Sequence, residues 1–175
     1  MEIRKGSAAD IPAIVGLFDG AMEWLVSQGR TGQWGERPWS QRPQAVEMVE
    51  EYVAKGRPWI AEIDGTPVGT LTLSEGPGSY VEPAGEPERY VHLLAARHGS
   101  GAGAALLAHA VQETLPHSQK SMGGPPAGVP LLRVDCYAGD DGKLVAFYEA
   151  NGFVRTEAFI GPDGVWPGQV LARRV

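Results

Sequence analysis

Three glycines in five residues, Gly99, Gly101 and Gly103, separate an apolar strand pattern from a helical one, and that arrangement suits a phosphate group. The strand reads Tyr90-Val91-His92-Leu93-Leu94-Ala95-Ala96, and the turn reads Arg97-His98-Gly99-Ser100-Gly101-Ala102-Gly103. The helix that follows places Leu107, Ala110, Val111, Thr114 and Leu115 on one face. Its first N–H groups have no intrahelical partner, and the positive end of the helix dipole adds to their attraction for an anion. A tight turn in which glycine supplies only unusual backbone angles fits the same residues, so both readings stand at this point. The spacing Gly99-x-Gly101-x-x-Ala104 also matches a dinucleotide fingerprint. Against an NAD-type enzyme, the motif lies in mid-chain and no acid follows about 20 residues later at a strand end.

The elements that must position this turn are legible on both sides of it. Residues 2–5 read as a strand, and Ser7 with Asp10 is a capping-box pattern ahead of the stripe Ile11, Ile14, Val15, Phe18, Met22 and Leu25. That helix stops near Gly29, and residues 30–42, with Trp34 and Trp39, read as loop. Pro43 suits the first turn of a second helix whose Val46, Val49 and Val53 face inward. Residues 59–63 and 68–73 form a hairpin about Asp64-Gly65. Residues 76–88 read as loop, and residues 116–130 as a proline- and glycine-rich insertion or lid. Residues 131–137 are a buried strand. Asp140 or Asp141 then caps a helix with inner face Leu144, Phe147 and Tyr148, which Gly152 terminates. Residues 153–160 and 165–175 close the chain as paired strands.

With 175 residues and 43% hydrophobic content, the chain suits a single domain, residues 1–175, with its own core. No apolar run approaches the roughly 18 residues of a membrane span. Residues 1–5 move straight into a strand rather than a targeting segment. The formal charge of −6 argues against nucleic acid and mildly favours a cationic partner such as an amine. A single cysteine fits a reducing, cytoplasmic setting, and one cysteine with four scattered histidines lacks the spacing of a metal site. The fold class is α+β, a mixed α/β sandwich on one largely antiparallel sheet.

This order of elements, with two motifs, resembles the GNAT superfamily of acyl-CoA-dependent N-acetyltransferases over nearly the whole chain. The first motif is His98-Gly99-Ser100-Gly101-Ala102-Gly103, where the family carries Gln or Arg in place of His98. The second is the strand Leu132-Arg133-Val134-Asp135-Cys136-Tyr137 followed by a helix ending in Tyr148-Glu149-Ala150-Asn151-Gly152-Phe153. Where family members carry an asparagine at the start of that helix, this chain has Asp140 and Asp141. The resemblance implies a bent sheet, splayed between its central strands and flanked by about four helices. It also implies acetyl-CoA as co-substrate, with pantetheine along Leu94, Ala95 and Ala96. The pyrophosphate would lie on Arg97, His98, Gly99, Ser100, Gly101, Ala102, Gly103 and Ala104.

The implied reaction is direct attack of a neutral amine on the thioester. An N–H near Leu94 would meet the oxyanion. Tyr148 matches the family's proton donor, since a phenol of about 10 is placed to return a proton to a thiolate whose acid lies near 8.5. As a core aromatic beside Phe147, Tyr148 also has a purely packing role. His92 and Glu88 are the candidate bases; alternation along the strand sets His92 on the same face as Leu94. Cys136 is the alternative nucleophile for a two-step transfer, although no histidine lies near it in sequence. Trp24, Trp34 and Trp39 could wall a small-molecule amine, with Glu23 as counter-charge. Neither nucleic acid nor membrane is implied as a partner, and a homodimer is compatible. A non-catalytic acyl-CoA-binding sensor on the same fold is the alternative function.

Overall fold

Ser7 opens the first helix in the way its spacing predicts. In a computed structural model, which describes residues 1–114 and 131–175, its hydroxyl accepts from the Ala9 N–H while Asp10 accepts from the Ser7 N–H at 2.8 Å. The strand β1 (Glu2–Lys5) precedes this cap and α1 (Ile11–Ser27) follows it. Ile14, Val15, Phe18, Met22 and Leu25 are buried along one side of α1. Gly29, at φ +70°, ends it by letting the Arg30 N–H turn back to the Leu25 carbonyl. The helix α2 (Pro43–Lys55) begins on proline and buries Val49 and Val53. Asp64 and Gly65, both left-handed, join β2 (Arg57–Ile63) to β3 (Thr66–Ser74) in a two-residue hairpin.

The remaining elements are β4 (Glu88–Ala96), α3 (Ala102–Thr114), β5 (Leu131–Tyr137), α4 (Lys143–Ala150), β6 (Val154–Ile160) and β7 (Pro167–Arg174). The seven strands form a mixed sheet in the order β1-β2-β3-β4-β5-β7-β6, flanked by the four helices. The β4–β5 pair is parallel, and its register covers Glu88–Val91 against Leu131–Val134. The described residues of α3 follow the expected face, with Leu107, Ala110, Val111 and Thr114 buried, and Leu106 is buried as well. Leu115 and the expected lid at 116–130 lie outside the described residues.

The chain gathers in two compact units, Met1–Ser74 with His92–Leu106, and Glu75–Val91 with Leu107–Val175. The first holds a core of Ile14, Phe18, Trp39, Val49, Ile60, Leu93 and Ala95, roofed by α1 and α2. The second contains a smaller cluster of Val81, Tyr90 and Val170 with Phe159 against it.

Two local expectations are corrected. Neither Asp140 nor Asp141 caps α4, because both are left-handed (φ +55° and +58°) and the cap position is Gly142, itself at φ +70°. The buried face of α4 is Val145 and Tyr148, whereas Leu144 and Phe147 are only partly buried. The distorted turn starts the helix later, and this rotates its inner face.

Gly69 on β3 is where α3 starts closest to the sheet. A Cβ at Gly69 would lie 2.8 Å from the Ala102 Cβ and 3.0 Å from Leu106 Cδ1. Gly69→Ala is therefore expected to destabilise by about 1–3 kcal/mol. In thermal unfolding this reads as a fall of about 2–4 °C for each kcal/mol. Gly16→Ala, where a Cβ on α1 meets nothing, is expected to leave the midpoint unchanged or raise it.

Candidate active site

The glycine turn is a built structure held by its own backbone. The Arg97 N–H donates to the Val68 carbonyl at 2.8 Å, and both the N–H and the hydroxyl of Ser100 return to the Arg97 carbonyl. Gly99 and Gly101 both sit at φ +75°, so residues with a side chain are strained there. The first intrahelical bond of α3 runs from the Ala105 N–H to the Gly101 carbonyl. The Ala102 N–H is taken by the Ser100 hydroxyl at 3.2 Å, and Gly103 and Ala104 lie in the first turn of α3, where N–H groups precede the intrahelical ladder. A Cβ on Gly99 or Gly101 would meet nothing within 4 Å, so their constraint is the backbone angle rather than crowding by the protein. Gly69 escaped the sequence analysis, although an isolated glycine inside a strand pattern is itself a sign of close backbone approach.

His98 and Trp24 form one unit at the rim of this turn. Their rings stack at 4.1 Å and 12°, and the Arg30 guanidinium lies 5.6 Å from the indole. Trp24 is partly buried beside the turn, at the C-terminal end of α1, and Glu23 next to it is exposed with no ion pair among the described residues.

The loop tryptophans behave differently from the acceptor walls expected of them. Trp39 is 6% exposed and stacks on Phe18 at 4.1 Å, while Trp34 meets both rings edge-on, at 5.3 and 5.6 Å. The segment between α1 and α2 offers few other apolar groups to cover Phe18, so Trp39 completes the core and Trp34 packs against it.

The strand β4 departs from simple alternation. Leu93 has φ +51°, and both Leu93 and Ala95 enter the core made with α1 and α2. His92, 7% exposed, stacks on Tyr52 of α2 at 4.2 Å. His92 and its neighbour Leu93 therefore face the same layer, and the expected pairing of His92 with Leu94 is corrected; Leu94 is partly exposed. Glu88 is corrected too. Its side chain is 4% exposed, one oxygen accepts from the Ala84 N–H at 3.0 Å, and the other receives Arg133 at 3.0 Å. A carboxylate held on both oxygens in a buried ion pair is a structural anchor for the start of β4 rather than a base.

Around Tyr148 the environment is apolar and aromatic. Phe147 and Phe153 meet its ring at 5.3 and 5.8 Å, and its hydroxyl has no hydrogen bond among the described residues. Burial raises its pKa well above the usual phenol value, with Cys136 and Asp135 adding to the effect. The phenol is thus a hydrogen-bond donor at neutral pH. A donor hydroxyl is what a departing thiolate needs nearby. Asp135 accepts from the Tyr90 hydroxyl at 2.8 Å, and burial and that carboxylate push the Tyr90 phenol up as well. Cys136 is buried, and its thiol is pushed up to about 12, chiefly by burial. Among the described residues no three His, Cys, Asp or Glu side chains gather as a metal site, and no helix is long and apolar enough to cross a membrane.

With this geometry in view, the comparisons with known proteins fix the class. Residues 19–122 match the acetyltransferase (GNAT) family, and the chain belongs to that family. The fold agrees with that of solved acetyltransferases. A ribosomal-protein-alanine N-acetyltransferase from Brucella melitensis superposes with a TM-score of 0.62 at 20% identity, covering 100% of both chains. An aminoglycoside 6'-acetyltransferase type Ii gives 0.62 at 13% identity, over 99% of this chain and 97% of that one. YncA from Salmonella typhimurium, solved with its cofactor acetyl-CoA, gives 0.62 at 14% identity over 99% and 92%. No curated protein matches the chain by sequence.

The burial of Cys136 has a direct test. The folded protein is expected not to react with a chromogenic disulfide at pH 8 within minutes, and to release one equivalent after denaturation. Rapid reaction of the folded protein would put the thiol at the surface.

Proposed function

We propose that the chain is an N-acetyltransferase that uses acetyl-CoA and a primary amine, by direct attack within a ternary complex. The observation that carries this reading is the turn between β4 and α3, where two left-handed glycines lead directly into the start of a helix whose first turn includes Gly103 and Ala104. Membership of the acetyltransferase family supports the pyrophosphate of coenzyme A as the anion for that turn.

Acetyl-CoA supplies an acyl thioester, the electrophile that an amine needs. The N–H groups of Gly103 and Ala104 bind the pyrophosphate, and backbone groups of Leu94, Ala95 and Ala96 line the pantetheine arm. His98, held by Trp24, stands where the family has Gln or Arg, and Arg97, exposed at the same turn, adds positive charge. The backbone near Leu94 donates to the oxygen on which negative charge develops. Tyr148 donates a hydrogen bond to the departing sulfur and stabilises it as a thiolate. With Glu88 held by Arg133, His92 is the residue that takes a proton from the ammonium form of the acceptor.

Thermal unfolding tests the coenzyme. Acetyl-CoA at 100 times its dissociation constant is expected to stabilise by about 2.7 kcal/mol, a rise of roughly 5–10 °C, with no rise from NAD. No shift with acetyl-CoA sinks the reading. A shift without turnover of any amine turns it into the acyl-CoA sensor. Tyr148→Phe is expected to lower kcat by about 10- to 1000-fold while leaving the acetyl-CoA shift intact. Equal turnover in both forms removes Tyr148 from the chemistry.

A further inference from the structure

Arg42 is a cation without an ion-pair partner among the described residues. It follows the 3-10 turn Trp39–Gln41 and directly precedes α2, and its guanidinium lies 5.2 Å from the Trp39 ring. Its Nε and Nη2 are both buried, and neither has a hydrogen-bond partner among the described residues; Trp39 Nε1 is in the same condition. Three buried donors on two contacting side chains thus have no acceptor among the described residues, which native structures rarely tolerate. Nε and Nη2 form the edge of a guanidinium that receives a carboxylate through two parallel hydrogen bonds.

The charges around Arg42 leave room for one anion. Arg37, whose Nη2 donates to the Gln41 carbonyl, adds a second positive charge. Asp19 attracts Arg42 but does not reach it as an ion pair, and its Oδ1 accepts from the Ser40 N–H at 3.1 Å. Burial, with Arg37 behind it, holds the Arg42 pKa below its ordinary value. Two guanidinium groups against one carboxylate leave a local excess of one positive charge. Arg42 closes the irregular segment between α1 and α2, which packs on the core of the first unit through Trp39.

We infer that the Nε/Nη2 edge of Arg42, with Trp39 Nε1 beside it, receives the carboxylate of the acceptor, so that the acceptor is an amino acid. This rests on the acetyltransferase reading above and adds to it a substrate class, since an amine alone would leave all three donors unmet. Trp39 then has two roles, its ring in the core and its N–H toward the ligand.

The test compares the twenty L-amino acids with their C-terminal amides, by thiol release with acetyl-CoA and by calorimetry in the presence of CoA, which cannot turn over. At least one acid is expected to have a KM about tenfold or more below that of its amide. Arg42→Gln is expected to raise the KM of that acid by about 10- to 100-fold, with the KM values for its amide and for acetyl-CoA unchanged. Arg42→Lys, which keeps the charge and loses the fork, should fall between. Equal KM for acids and amides across the panel overturns the inference, and so does an Arg42→Gln effect that is the same for both. The acid–amide contrast in the unaltered protein needs no variant, so a misfolded Arg42→Gln does not obscure it. If nothing turns over, calorimetry still decides. Preferential binding of acids keeps the subsite while the transfer reaction fails, and absence of any acid binding removes the subsite.

Discussion

A leucine held in the left-handed region in the middle of a buried strand costs on the order of 1–2 kcal/mol, and the first unit is organised around that cost. At φ +51°, Leu93 breaks the two-residue alternation of β4, so that His92, Leu93 and Ala95 all meet the layer formed by α1 and α2. The strain is offset by burial, because Leu93 is 9% exposed among Ile14, Phe18 and their neighbours. Without this local reversal, strict alternation would put His92 and Leu93 on opposite faces of the strand, and one of them would leave the helices. The same strand then runs into the glycine turn, where Gly69 lets Ala102 and Leu106 come close to β3. A backbone irregularity in the strand and a missing side chain beside it together fix where the first N–H groups of α3 stand.

Donor and acceptor recognition fall on different kinds of structure. The coenzyme turn is made of backbone and glycine, and its geometry follows from local hydrogen bonds at Val68, Arg97 and Ser100. The proposed acceptor subsite rests instead on side chains in an irregular segment, and solved structures of the same fold carry names with different acceptors. One such relative is named for a ribosomal-protein alanine and another for an aminoglycoside, both at a TM-score of 0.62. In this chain the irregular segment between α1 and α2 is anchored by Trp39 in the core, which fixes Arg42 at the start of α2 beside it. Burial around Tyr148 serves a separate end. An apolar setting keeps the phenol protonated and keeps the neighbouring Cys136 thiol neutral, so neither group carries charge at neutral pH.

Wherever the physics is local, the sequence by itself determined the result. The capping box at Ser7, the stripe of α1, the proline start of α2, the Asp64-Gly65 hairpin and the glycine turn depend on neighbours a few residues apart, and all appear in the structure as their spacing demands. Element order and the two motifs carried the family as well. What only the tertiary structure decided involves partners far apart in the chain. Glu88 looked like a loop-end carboxylate until Arg133, 45 residues away, closed on it. Trp39 looked like an exposed loop aromatic until Phe18 claimed its face, and His92 lost its expected side to the reversal at Leu93. Asp140 and Asp141 failed as caps because the turn they occupy is left-handed. Unpartnered donors such as those of Arg42 are the least legible of all from sequence. Whether an N–H has an acceptor depends on every atom that surrounds it, and spacing along the chain does not encode those surroundings.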